Sequence, residues 1–239
     1  EKDTILIAEN QEFVEIILLS SNKLDEVIVS ERVDGSYISK LEPINTTVIS
    51  ENGLQQLACC NLSESFENSA TVDVHFADAV TGAKQIQMLG LAGIYTQILT
   101  ENVPTFRGFS SSFGLNYVPG SWMESIQISK GTSSVLNGYE SITGQINIEY
   151  KKPQLQSPLH VNIYANNMQR MEANVLTGIQ LSDRLSTMVM IHGNQLQHKI
   201  DKNNDGFLDM PMSEQINISN RWSYEIEGKY HSQFNVNIL

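Results

Sequence analysis

From residue 159 onward the chain carries a period of two that few folds can use. Leu159-His160-Val161-Asn162-Ile163-Tyr164-Ala165-Asn166 alternates apolar and polar side chains, and residues 171–181 do the same with one slip. Ser182-Asp183-Arg184 reads as a tight turn, and residues 185–197 alternate less cleanly. After a long loop, 215–224 and 231–239 alternate again. Successive side chains of an extended strand point to opposite faces, so each segment presents one apolar and one polar side. Strands joined alternately by short and long connections fit a transmembrane barrel, with lipid on one face and lumen on the other. They fit a soluble antiparallel sheet on the same pattern. Length narrows the choice, because the segment from Lys151 to Leu239 supplies only about five strands, against roughly eight for the smallest common barrel. An open sheet with unpaired edges cannot sit in lipid. Either the strands are soluble and closed in some other way, or further strands complete a barrel.

Composition removes several function classes. A net charge of -12 leaves no extended basic surface to neutralise phosphates, so nucleic acid is not an expected partner. No run of 18 apolar residues encodes a membrane-spanning helix. Glu1 begins without the basic and apolar regions of a signal peptide, as expected of a mature form or a fragment. Cys59 and Cys60 are adjacent; they are expected as inert or partly buried thiols, a strained vicinal disulfide being the alternative, and they make no zinc site. No paired carboxylates, Ser/His/Asp set or phosphate loop emerges at workable spacing, so the chain is not expected to be an enzyme.

The first 150 residues are mixed. Residues 1–23 hold short apolar segments, 4–8 and 13–19, that read as the last strands of a small β-domain. Leu24-Asp25-Glu26-Val27-Ile28-Val29 is an extended, pairable segment heading a polar linker that reaches residue 43, and it suits β-augmentation by a partner. From 44 to 150 the pattern predicts a compact α+β unit. It has a strand at 46–50, a helix over 50–59 with Asn52 as cap, and a second helix over 62–68. Strands follow at 71–76, 84–89, 95–100, 123–129 and 144–150, with Gly90, Gly93, Gly108, Gly114 and Gly120 punctuating the loops.

Several segments taken in order resemble TonB-dependent outer-membrane receptors, in particular the Bacteroidetes type with an extra small β-domain before the plug. Residues 13–29 resemble the end of that domain running into the box that contacts TonB, so Leu24, Asp25, Glu26, Val27, Ile28 and Val29 take that role by resemblance. Ile86-Gln87-Met88-Leu89-Gly90-Leu91 is similar to the strand that usually ends in Arg-Gly-Leu, with Leu89 for the arginine. Leu99-Thr100-Glu101-Asn102-Val103-Pro104 stands where the family has Ile-Asp-Gly-Val-Pro, a mild change since Asn also tolerates left-handed turns. Ile126-Gln127-Ile128-Ser129-Lys130-Gly131 and residues 138–148 resemble the closing plug signature, the most specific match.

The resemblance implies an α+β plug followed by antiparallel strands of an incomplete transmembrane β-barrel, 22-stranded when whole. It implies active uptake of a scarce ligand, a cobalamin, siderophore or other metal chelate, across the cell outer membrane. The TonB–ExbB–ExbD complex supplies the work, outer-membrane lipid surrounds the barrel, and a surface-exposed lipoprotein is a further partner of such receptors. Leu89, Gly90, Leu91, Arg107, Gly108 and Phe109 fall in the plug loops that face the ligand.

Asp201-Lys202-Asn203-Asn204-Asp205-Gly206-Phe207-Leu208-Asp209 is the sharpest metal signal. Asp201, Asn203 and Asp205 occupy positions 1, 3 and 5 of a calcium loop, Phe207 offers a carbonyl at 7, and Asp209 stands at 9. Position 12 is Met212, which supplies no bidentate carboxylate. A solvated Asp/Asn/Gly turn has the same composition. With a plug that ends on the periplasmic side, the strand count puts this loop in the second extracellular connection, where cobalamin receptors of the family bind structural Ca²⁺. His75, His160, His192, His198 and His231 share no ligand spacing and are expected to be packing or surface residues. The competing class is a soluble calcium-stabilised β-rich binding or adhesion module.

Overall fold

The computed structural model describes residues 35–39, 45–57, 60–67, 69–78, 80–133, 140–153, 159–226 and 228–239. The chain divides into two compact units, Glu1–Arg32 and Val33–Leu239. The segments expected as strands at 4–8 and 13–19, and the partner-contacting residues 24–29, lie outside the described residues.

The second unit begins with an α+β head. Ser36–Ile38 (β1) pairs antiparallel with Thr46–Ile49 (β2), and α1 follows at Glu51–Gln56. Its cap is Ser50, whose extended backbone lets Oγ accept from Gly53 N at 3.4 Å. Asn52, the expected cap, lies inside the helix and is exposed. The helix expected over 62–68 is a single 3-10 turn, Glu64–Phe66, preceded by Asn61, whose Oδ1 accepts from the Glu64 N–H.

Val72–Phe76 (β3), Lys84–Met88 (β4) and Leu91–Ala92 (β5) make a small antiparallel sheet. Thr96–Thr100 (β6), Val103–Pro104 (β7), a short α2 at Ser111–Gly114, Met123–Lys130 (β8) and Gly144–Tyr150 (β9) complete the head. The larger sheet runs β1-β2-β8-β9-β6-β7, parallel only between β6 and β9. Ile126, Ile128, Ile146 and Ile148 are fully buried at its centre, worth about 1.5–3 kcal/mol each. Gly144, inside the closing signature, permits the tightest approach. A Cβ there would stand 2.2 Å from the Ser129 carbonyl oxygen and 2.7 Å from Met88 Cε.

His160–Ala165 (β10), Met171–Ser182 (β11), Leu185–Leu196 (β12), Ser213–Ile226 (β13) and Tyr230–Ile238 (β14) form a five-stranded antiparallel meander. All five strands stand where the alternation predicts them, within two residues at each end. Connections 166–170 and 197–212 lie at one end, hereafter the loop end, and the tight turns after β11 and β13 at the other, the turn end.

Polarity decides what kind of sheet this is. The face against the head carries Asn174, Ser186, His192, Asn217, Ser219 and Arg221, all 4% exposed or less. The opposite face shows Ile163 (77% exposed), Ile216 (62%) and Phe234 (64%), with Ile191 and Val236 between. A soluble sheet buries its apolar face; this one buries the polar face and turns the apolar one outward, the arrangement of a barrel wall in lipid. Trp222, Tyr224 and Tyr230 cluster at the turn end of the outward face, with the two tyrosine rings 6.4 Å apart. Membrane barrels carry aromatic residues at a similar level.

Candidate functional site

Two arginines of the wall, Arg221 buried and Arg170 half-buried, grip the head. Arg221 of β13 is 3% exposed and reaches the β6–β7 turn through an ion pair with Glu101. Its other guanidinium nitrogen donates to the Lys151 carbonyl at 3.1 Å, and its plane lies 5.8 Å from the Tyr150 ring. The turn can present Glu101 because a two-residue hairpin needs left-handed backbone at both central positions, and Glu101 and Asn102 adopt φ of 51° and 64°. Asn102 N is anchored by Asn147 Oδ1 at 2.8 Å. Burial pushes the Tyr150 hydroxyl up to about 12, against the pull of Arg221.

At the loop end Arg170 bridges Glu64 of the head at 2.9 Å and Glu172 of β11 at 2.6 Å. Glu64 also accepts from Cys60 N at 2.9 Å and Asn61 Nδ2 at 3.2 Å. Burial alone would raise Glu64, but Arg170, the Cys60 N–H and Lys84 outweigh it and hold the carboxyl below the usual range. Burial, with Glu172 and Glu64 adding to it, pushes the Cys60 thiol well above its ordinary value. Cys60 is buried, and Cys59 lies outside the described residues.

Asn217 of β13 adds a third tie, donating to the Tyr117 carbonyl at 2.7 Å. Between the polar ties Leu176, Met188 and Met190 of the wall enter the same apolar cluster as Trp122, Met123, Ile126 and Tyr150. The head is therefore welded to the wall by apolar contact in the middle and by charges toward either end.

A family model for the TonB-dependent Receptor Plug Domain matches residues 40–145. The match covers the α+β head, whose fold is that of a plug. No curated protein matches the sequence. Among solved structures the chain is similar to the pyoverdine outer membrane receptor FpvA from Pseudomonas aeruginosa PAO1. Identity is 14% and the TM-score 0.67, over 82% of this chain and 27% of that one. The ferric-catecholate import receptor Fiu of E. coli K12, in its open form, is 17% identical with a TM-score of 0.62, over 81% and 26%. The siderophore receptor PirA of Acinetobacter baumannii is 19% identical with a TM-score of 0.59, over 80% and 31%. The likeness covers the plug fold and the adjoining strands, and the chain spans about a quarter to a third of those receptors' length.

The predicted ligand-facing residues fall on two separate turns of the plug. Leu89 and Gly90, with φ of 53° and 77°, make the two-residue turn from β4 to β5, and Leu89 and Leu91 are exposed. Arg107 precedes the 3-10 turn Gly108–Ser110, which includes Phe109. Arg107 pairs with Glu140 at 2.8 Å, which ties its loop to the plug itself.

The carboxylates of the 201–209 loop turn inward onto its own backbone, while Phe207 is exposed. Asp201 accepts from Asp205 N at 3.3 Å and Gly206 N at 3.1 Å. Asp205 accepts from Phe207 N at 2.8 Å, and Asp209 from Lys202 N at 2.9 Å. The donor types suit a hard cation, yet here backbone N–H groups occupy the carboxylates. Among the described residues no three His, Cys, Asp or Glu side chains are grouped to hold a metal. Of the histidines, His192 is buried with Nδ1 2.7 Å from Asn174 Oδ1, a packing role.

Sequence reasoning missed the wall arginines. Arg221 carries a legible signal, a charge on the polar face of an alternating strand. Its partner does not, because Glu101 reads as a mild replacement for Asp in a tight turn.

Proposed function

We propose that this chain is the plug and first wall strands of a TonB-dependent transporter that takes up a siderophore-class metal chelate across the outer membrane. The observation that carries the reading is the inverted wall, polar against the plug and apolar outward. The siderophore receptors among the similar structures support the ligand class. In this reading the protein performs no covalent step. Residues 24–29 receive the TonB–ExbB–ExbD pull, and residues 1–23 close a small extra β-domain of the Bacteroidetes type. A surface lipoprotein caps the mouth, and the turns at Leu89–Leu91 and Arg107–Phe109 help form the outer ligand surface.

A cobalamin is the second reading, favoured by the inward-turned 201–209 loop, whose Asp201, Asn203, Asp205, Phe207 carbonyl and Asp209 would hold structural Ca²⁺. Calorimetric titration of the full-length receptor with a ferric tris-catecholate and with cyanocobalamin, each with and without Ca²⁺, separates the two. Calcium-independent chelate binding supports the leading reading, and calcium-dependent corrinoid binding replaces it. Binding of neither ligand removes both.

A further inference from the structure

The connection 197–212 does not stand clear of the plug. Its first foot, Ile200, is buried, and its second, Pro211, rests on the β3–β4 hairpin of the plug at Gly82. The fit there is close. A Cβ on Gly82 would stand 2.7 Å from Pro211 Cγ, and Gly82 holds φ of 69°, so glycine serves both the turn and the seat. Between its feet the connection is closed on itself. Asp209 N donates to the Ile200 carbonyl at 2.7 Å, and Lys202 N to the Asp209 carboxylate at 2.9 Å. Asp209 therefore locks the exposed 201–209 turn, and it stands two residues before Pro211.

The hairpin beneath Pro211 is held as firmly. The Asp78 carboxylate accepts from Val80 N at 3.3 Å and Thr81 N at 2.9 Å, and Gly82 N donates to the Asp78 carbonyl at 3.1 Å. Leu115 and Val118 are fully buried, and Asn116 between them donates to the Gly82 carbonyl at 3.2 Å. The next residue, Tyr117, accepts from Asn217 of β13. The plug thus holds the entry to β13 at two points, Pro211 before the strand begins and Asn217 within it. Two firmly built parts that share one tight contact are coupled through it, because loosening either takes packing from the other.

We propose that the seat of Pro211 on Gly82 is a joint through which the 201–209 turn and the plug's β3–β4 hairpin set each other's order. Resting on the transporter reading, with this connection on the outer side of the membrane, whatever settles or displaces the turn is felt in the plug without touching it.

The test is amide hydrogen exchange of the full-length receptor in detergent, with no ligand present. D209A removes the acceptor of the Lys202 N–H. It is expected to speed exchange across 201–209 and, by about fivefold or more, at Thr81 and Gly82 of the hairpin. In a P211A background, which takes away the ring that sits on Gly82, D209A is expected to speed the turn alone. Coupling runs both ways, so D78A, which frees the Val80 and Thr81 N–H groups, should speed exchange at Lys202 and Asp209. Residues 60–67, which have their own tie to Arg170, stay unchanged in every variant and show that the fold is intact. Hairpin amides that D209A leaves untouched overturn the proposal. So does a rise that P211A fails to block, or one that reaches 60–67 as well, since the disturbance then travels by another route. A negative result leaves the transporter reading standing, whereas a receptor that takes up no chelate loses that reading and keeps the joint.

Discussion

Replacing Arg221 with methionine should loosen the plug from its wall more than any other single change to the strands. The guanidinium is almost wholly buried, while its partner Glu101 keeps 22% of its side chain exposed. R221M removes the ion pair, the bond to the Lys151 carbonyl and the contact with the Tyr150 ring together, and methionine replaces much of the volume. Removing one partner of a buried pair costs about 3–5 kcal/mol. Partial exposure of Glu101 puts the expected loss near the lower end, about 3 kcal/mol. Denaturant unfolding of the full-length receptor in detergent, followed by plug tryptophan fluorescence, reads the loss directly. A double-mutant cycle with E101Q isolates the pair, because R221M/E101Q leaves no stranded carboxylate and should recover part of the loss. If R221M changes stability by less than about 1 kcal/mol, and E101Q is additive with it, the pair does not hold the plug and the reasoning fails.

Three further outcomes follow from the same geometry. I191K places a charge at the middle of the outward face and should cost about 2–4 kcal/mol of folding stability in bilayers; a change within about 0.5 kcal/mol, as on a soluble surface, refutes the lipid-facing assignment. G144A drives a Cβ into the Ser129 carbonyl and should destabilise the plug by more than the roughly 1–3 kcal/mol of ordinary overpacking, read by the same unfolding assay. Glu64 has a depressed folded value, so its contribution is complete above the unfolded value of 4.5 and is lost as pH falls below it. Hydrogen exchange around residues 60–67 should therefore rise on acidification below that value in the wild type and stay flat in E64Q.

The wall strands were legible because alternation survives in each of them, and the 182–184 turn sits where the pattern breaks. Which face was buried was not legible, since period two is the same for a soluble sheet and an inverted one. Only the placement of the plug against Asn174, His192 and Asn217 resolves it. The α1 cap was misread because Asn52 and Ser50 are both good capping types, and the choice depends on which residue holds extended backbone. The ties that matter most join residues 106 and 120 positions apart, a separation no local pattern encodes. The calcium spacing was legible as a loop that folds its carboxylates inward, but spacing alone does not distinguish a cation from the backbone N–H groups that occupy them.

The apolar weld between plug and wall also bears on how such a molecule is made. Leu176, Met188 and Met190 complete the same interior as Trp122, Ile126 and Ile148. A plug matured alone would leave that side greasy, and a wall closed first would enclose an unfilled bore. Neither half is a finished part waiting for the other. The two share one interior, so a fault in the head's core should also loosen the strands packed on it.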